Sequence, residues 1–340
     1  MRIGGDGYRA MLAGALLAAV AGCAGSSGQI AGSSALPRAL PASRGHSQSY
    51  MLPQARNAKY LLYVSSFYYG IVHVFDFRTR AVVGEINGFN EPTGQCVDAK
   101  GDIWIAEADG HQVVEYPRAS LKQIRAVQTY ARPFGCSVAP NGDLAVADFD
   151  EGSAPGDVEV FKNGSGKPVV YKCNGFGYYP NSPGYDDKGN LFVEGLVSLQ
   201  QDQIGLCVLP AGGSSLNPVD AGIAFHEGGG AMWDGKYMTL ADVFHDQNFR
   251  DSTAIYRVST TASGGITWVG TTVLRDTRIP QPFILGTKNT PVNLQQGFVL
   301  VGPDNYHITR WKYPSGVKNS VPYVIEPNDV PFGESISIGI

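Results

Sequence analysis

Glu91–Pro117 reads EPTGQCVDAKGDIWIAEADGHQVVEYP, and Arg132–Phe161 reads RPFGCSVAPNGDLAVADFDEGSAPGDVEVF. Laid over each other, both open on Pro-x-Gly, run through a short apolar strand, and turn at a Gly-Asp corner. Each then enters a second apolar strand that closes on Ala-Glu or Ala-Asp, followed by a third. A shorter copy, NSPGYDDKGNLFVEG, starts at Asn181. The corners Lys100-Gly101-Asp102, Asn141-Gly142-Asp143 and Lys188-Gly189-Asn190 fall at one place in each copy, where a hairpin needs residues that tolerate positive φ. Several strands repeated at a period of about 40 to 50 residues point to a β-propeller.

Weaker copies begin near Gly228 (GGGAMWDGKYMTLAD) and Pro282. The stretch from Tyr60, with YLLYVS, IVHVFDF and AVVGEI, supplies three strands but no Pro-x-Gly opening. The chain end supplies it: Pro331-Phe332-Gly333-Glu334-Ser335-Ile336 matches Pro133-Phe134-Gly135-Cys136-Ser137-Val138. The expectation is therefore an all-β fold, a six-bladed propeller of four-stranded antiparallel blades, closed by the C-terminal strand completing the N-terminal blade. A ring closed in this way hides its sheet edges. The rival count is seven, with an extra degenerate blade between Asp220 and Arg275.

The copies resemble NHL-repeat propellers and, more loosely, the gluconolactonase and senescence-marker group. The resemblance covers residues 58–340 and implies fold more strongly than function, because propellers host unrelated activities. Lactonases of that group would need a Glu near the first strand and channel-facing Asn ligands for calcium, and this sequence does not supply them convincingly.

Ahead of the repeats lie Met1, Arg2 and Arg9, an apolar run Ala10–Ala21, and Gly22-Cys23. That is the layout of an export signal, and the run is shorter than the roughly 20 residues a membrane span needs. Val20-Ala21-Gly22-Cys23 resembles the bacterial lipobox, which implies a signal peptide over 1–22 and a lipidated Cys23. Residues 23–56 are Ala-, Gly-, Ser- and Pro-rich without apolar period and read as a disordered tether, which leaves 57–340 as the propeller domain. Ala24, where many inner-membrane lipoproteins carry Asp, points to the outer membrane or cell surface of the envelope. Loss of 1–22 removes Arg2, Arg9 and Asp6 and takes the net charge from −4 to −5. That mild acidity argues against nucleic acid as a partner. A monomer is expected.

Aligned on the second strands, Ser66, Glu107, Asp148, Glu194, Asp242 and Pro303 occupy equivalent positions. The four acids are candidate ligand or metal positions, since converging carboxylates can hold Ca2+ or act as bases. The competing reading makes them turn residues that accept backbone N–H bonds. No His-Glu-x-x-His, Gly-x-Ser-x-Gly, phosphate loop or Cys-x-x-Cys is present, and no catalytic set is assigned. His73, His111, His226, His245 and His307 are scattered, though His245-Asp246 with Asp242 forms a denser polar group.

Aromatic residues crowd expected loops: Phe67, Tyr68 and Tyr69, then Phe176, Tyr178 and Tyr179, then Phe244 and Phe249. Such residues suit a sugar ring or peptide, or pack over neighbouring blades. Cys96, Cys136, Cys173 and Cys207 remain besides Cys23, and an even number in an exported chain favours disulfides, with three pairings open. Cys96 can meet Cys136 if it points toward the third blade, which leaves Cys173 and Cys207 as the second pair; four buried thiols is the alternative. The leading expectation is a lipid-anchored binding or scaffold module with a protein or glycan ligand at the propeller mouth. The alternative is a calcium-dependent hydrolase or lyase of the gluconolactonase or virginiamycin-lyase type.

Overall fold

The computed structural model describes residues 48–149, 156–173, 179–198, 203–225, 228–242, 252–275, 284–285, 298–304, 307–324 and 331–339. The expected signal segment, Cys23 and the first part of the tether lie outside the described residues, as do His226, His245, Asp246, Phe176, Tyr178, Phe244 and Phe249.

The described strands form an all-β propeller whose blades are antiparallel sheets. They fall into six sheets. The first contains Tyr60–Ser66, Ile71–Asp76 and Val82–Asn87, with Pro331–Ile338 on its inner side. The second runs Pro92–Val97, Ile103–Glu107, Gln112–Tyr116, Arg125–Gln128, and the third Arg132–Val138, Leu144–Phe149, Asp157–Phe161, Val169–Tyr171. In the fourth, Tyr179–Pro180 and Gly184–Tyr185 both pair with Leu191–Ser198, followed by Gln203–Leu209 and Asn217–Pro218. The fifth is Gly228–Trp233, Met238–Asp242, Ser252–Thr260, Ile266–Arg275; the sixth is Ile284–Leu285, Phe298–Asp304, His307–Tyr313, Val317–Val324.

The C-terminal strand pairs with Tyr60–Ser66 in the register Ser66 to Pro331 and Val64 to Glu334. Side chains tie that strand to the second sheet as well: Ser335 donates to Gln95 Oε1 at 2.9 Å, and Gln95 donates to Ser65 Oγ at 2.7 Å. On the other flank, the Tyr323 hydroxyl of the sixth sheet donates to the Phe77 carbonyl at 2.7 Å.

The Pro-x-Gly motif has a steric reason. A Cβ built on Gly94 would lie 2.6 Å from the Phe134 carbonyl oxygen and 2.7 Å from Gly135 Cα. On Gly333 it would lie 2.7 Å from Gly94 Cα, and on Gly184, which follows Pro183 directly in the variant opening Asn181-Ser182-Pro183-Gly184, it would lie 2.6 Å from the Ala231 carbonyl carbon. Inner strands of successive sheets therefore approach backbone to backbone. They touch in the order Pro331–Ile338, Pro92–Val97, Arg132–Val138, Gly184–Tyr185, Gly228–Trp233, Ile284–Leu285 and again Pro331–Ile338.

Outside this inner contact, apolar faces fill the wedges between sheets. Trp104, Ala106 and Val113 of the second sheet pack on Cys136, Leu144, Val146 and Phe161 of the third. Fully burying a side chain of this size contributes about 1.5–3 kcal/mol. At the corners, Gly101 and Gly142 take φ of 86° and 91°, and Asp98 accepts the Lys100 and Asp102 N–H groups at 2.8 and 2.9 Å.

Both cysteine pairs form disulfides. Cys96 lies on the face turned toward the third sheet, packed with Trp104 and Cys136, and its Cα is 5.5 Å from that of Cys136. Cys173 joins Cys207 across the third and fourth sheets with a Cα separation of 6.4 Å.

The tether boundary expected at residue 56 is corrected. Tyr50–Met51 pairs with Val82–Asn87, Tyr50 opposite Glu85 and Met51 opposite Gly84. A helix over Pro53–Asn57 then buries Ala55 completely against the first sheet. Two strand residues and a single helical turn are too short to carry a readable period, so this addition is invisible in the sequence pattern.

Candidate functional site

The strand registers place the four candidate acids at one end of their sheets. Ser66 faces Pro331, Glu107 faces Pro92, Asp148 faces Pro133 and Asp242 faces Gly228 across their ladders. Glu194 occupies the matching place, its carbonyl accepting the Asn181 N–H at 2.7 Å. The ladder slips beside several of these residues, between Ala147 and Asp148 for example. Such a bulge re-aims a side chain at the rim of a sheet. Glu107, Asp148, Glu194 and Asp242 are all buried, so they sit within the sheet packing rather than on an open rim.

Three of the four have donors. Glu194 accepts the Gly229 and Gly230 N–H groups at 3.1 and 2.9 Å, which pins the start of the next inner strand. Burial pushes its pKa well above the usual carboxylate range and the nearby Asp242 adds to that, while the backbone donors oppose it. Asp242 accepts the Tyr256 hydroxyl at 3.4 Å. Burial raises the Glu107 pKa, against bonds from the Asn90 backbone and the Gln112 side chain.

Asp148 is different. It is fully buried, and among the described residues neither carboxylate oxygen meets an N–H or hydroxyl donor; its side-chain neighbour is the Glu159 carboxyl. Across the ladder stands Asp157, and strand alternation puts Glu159 on the same face. One oxygen from each of the three carboxylates lies within 4.8 Å of the others. Burial pushes the Asp148 pKa well up, with the Glu159 and Asp157 charges adding to it. Burial likewise raises Glu159, one of whose oxygens accepts the Tyr130 N–H at 2.7 Å. Asp157 and Glu159 were not among the sequence candidates. Their signal was an Asp-x-Glu opening a third strand directly across from a second-strand acid.

A second acidic group, Asp98, Asp102 and Glu115, is already occupied structurally. Asp98 caps its corner, Asp102 accepts the Arg118 N–H at 3.2 Å, and Glu115 pairs with the Arg125 guanidinium.

At the same end of the sheets, aromatic rings cluster over the inner strands. Phe67 stacks on Phe332 at 5.2 Å, and Phe332 meets Phe134 edge-on at 5.3 Å. Phe134 touches Phe149 at 6.2 Å, and Tyr68 stands edge-on to Phe67 at 5.2 Å. Phe332 and Phe134 are the middle residues of two Pro-x-Gly motifs. Tyr68 is 53% exposed. Phe67 thus packs over the inner strands, as one of the two sequence readings had it, while Tyr68 faces solvent.

Between the inner strands is a cavity of about 40 Å³, lined among others by Gly94, Gln95, Gly333 and Glu334. That is room for one or two waters. Glu334 is buried with neither oxygen partnered among the described residues, and burial raises its pKa well above the carboxylate range.

The fold and its repeated Pro-x-Gly opening define a propeller of the NHL-repeat type. No family model matches the chain. It is 38% identical over 68 residues to NHL-repeat-containing protein 4 of Mus musculus, 19% of this chain and 50% of that protein. To its Homo sapiens counterpart it is 30% identical over 90 residues, 25% of this chain and 72% of that protein. The chain belongs to the NHL-repeat proteins. It spans about half the length of the mouse relative. A chain in the crystal structure of a nidogen/laminin complex shares the fold, with a TM-score of 0.61, 9% identity, and coverage of 82% of this chain and 99% of that one.

Asp148, Glu194 and Glu334 each hold a proton more tightly when folded than when unfolded. Stability from such groups is fully present below the ordinary carboxylate range and is lost as pH rises through the raised folded values. The urea midpoint of metal-free protein is therefore expected to fall as pH rises above the ordinary carboxylate range, with Asp148→Asn flattening that slope. A midpoint that rises with pH there contradicts the assignment.

Proposed function

We propose that the chain is a lipid-anchored propeller of the bacterial envelope that acts as a binding module for a protein or glycan ligand at its mouth. The observation that carries this reading is the ring cluster Tyr68, Phe67, Phe332, Phe134 and Phe149, which covers the inner strands and leaves Tyr68 turned to solvent. Aromatic faces give large contact area with few rotors to immobilise. Six blades closed by the C-terminal strand are part of the proposal, supported by the pairing of Tyr60–Ser66 with Pro331–Ile338 and by the cyclic contacts of the inner strands. A mouth built on a closed ring is a rigid platform, which suits recognition more than gating.

The site is tested with a photo-crosslinking residue at position 68 of the mature protein in the producing cells, against the same probe at the exposed Trp268 of the fifth sheet. A specific protein or glycan adduct at 68 and not at 268 is expected. Tyr68→Ala is expected to weaken binding of that ligand by at least tenfold, about 1.4 kcal/mol. Unchanged binding in Tyr68→Ala would remove the mouth from the proposal.

Anchoring rests on the lipobox-like Val20-Ala21-Gly22-Cys23. Cys23→Ala is expected to abolish labelling by a radioactive fatty acid and move the protein out of the membrane fraction. Labelling that persists in the variant overturns it.

A further inference from the structure

The acids at the ends of the second strands share a position but not a use. At Glu194 and Glu107 the carboxylate is met by backbone N–H donors, and at Asp242 by a tyrosine hydroxyl. Asp148, fully buried, meets no N–H or hydroxyl donor at either oxygen among the described residues, and the Glu159 carboxyl stands against it. Leaving a buried carboxylate without a donor or a cation is costly, and the cost grows when other carboxylates face it. Here two do. Glu159 is itself buried, and among the described residues its second oxygen meets no N–H or hydroxyl donor. Among the described residues, the charges acting on Asp148 are those of Glu159 and Asp157, and the charge acting on Glu159 is that of Asp157.

We propose that Asp148, Asp157 and Glu159 form a divalent-cation site in the third sheet, and that the ion is calcium. The three groups present oxygens within 4.8 Å of one another. That is the span open to oxygens lying about 2.4 Å from one shared ion. Among the described residues the group offers oxygen donors, which selects a hard cation over zinc or copper. Asp148 and Asp157, each able to bind through one or two oxygens, and the free oxygen of Glu159 supply part of the six to eight ligands calcium takes, with water completing the shell. Magnesium demands a smaller and more regular octahedron.

The scaffold holds the group from two sides. Asp148 and Asp157 are cross-strand partners. The Tyr130 N–H fixes one Glu159 oxygen and leaves the other to the ion. Tyr130 belongs to the segment that joins the outer strand of the second sheet to the inner strand of the third. The ion thus replaces mutual repulsion within one blade by attraction and fixes that crossing.

The test is calcium titration by calorimetry on the full mature protein stripped with chelator, paired with melting curves. Asp148→Asn and Glu159→Gln are the variants, because each keeps the side-chain shape and removes one charge. Wild type is expected to bind one calcium ion and to gain roughly 5 °C in Tm at about a hundredfold excess over Kd. Both variants are expected to lose the heat and the shift, yet to melt in chelator at or above the wild-type temperature. Absence of calcium heat and of any shift in wild type, with Asp148→Asn simply more stable, would overturn the proposal and leave carboxyls sharing protons. A shift that survives in both variants would overturn it as well.

Discussion

The close approach of the inner strands is the constraint on which the rest of the structure depends. Where a Cβ on Gly94, Gly184 or Gly333 would meet neighbouring backbone at 2.6 to 2.7 Å, no side chain other than hydrogen is accommodated without displacement. The Pro-x-Gly motif follows from that geometry. It also explains why so little space is left between the inner strands and why the acids one residue row away are buried. Phe332 and Phe134, from the middle of the same motif, meet edge-on where the inner strands end.

The repeats were legible because each copy marks its corners and its inner strand with residues that have backbone reasons to be there. Gly101 and Gly142 are in the left-handed region that a corner demands, and Gly333 marks the C-terminal strand as an inner strand displaced to the far end of the chain. Alternation along strands left the Cys96–Cys136 pair conditional on Cys96 turning toward the third sheet, and the fold meets that condition. Less was legible where signals are short. Tyr50–Met51 and Pro53–Asn57 attach to the first sheet through a few contacts, with Met51 lying against Gly84, and no period extends over so few residues.

The candidate site was half legible. Equivalence of Glu107, Asp148, Glu194 and Asp242 could be read from the alignment of second strands, and the registers place them as that alignment implied. Their different environments could not be read, because each depends on what a neighbouring strand brings opposite. Glu194 meets the N–H groups of a Gly-Gly-Gly run, whereas Asp148 meets Asp157 and Glu159. A repeat fixes position; the residue across the ladder fixes chemistry. The same separation holds for the aromatic residues, where sequence located Phe67 and Tyr68 but only the fold shows which one stacks on Phe332 and which faces water.

The most direct test of this account is equilibrium urea unfolding of Gly94→Ala and Gly333→Ala, two substitutions that add a single methyl group to the inner strands. If backbone approach governs the fold, each is expected to lose roughly 1–3 kcal/mol or more, the usual cost of forcing extra volume into a packed interior, with unchanged m-value. Variants that stay within about 0.5 kcal/mol of wild type would show that the strands have room to spare, and would contradict the claim that this contact sets the architecture.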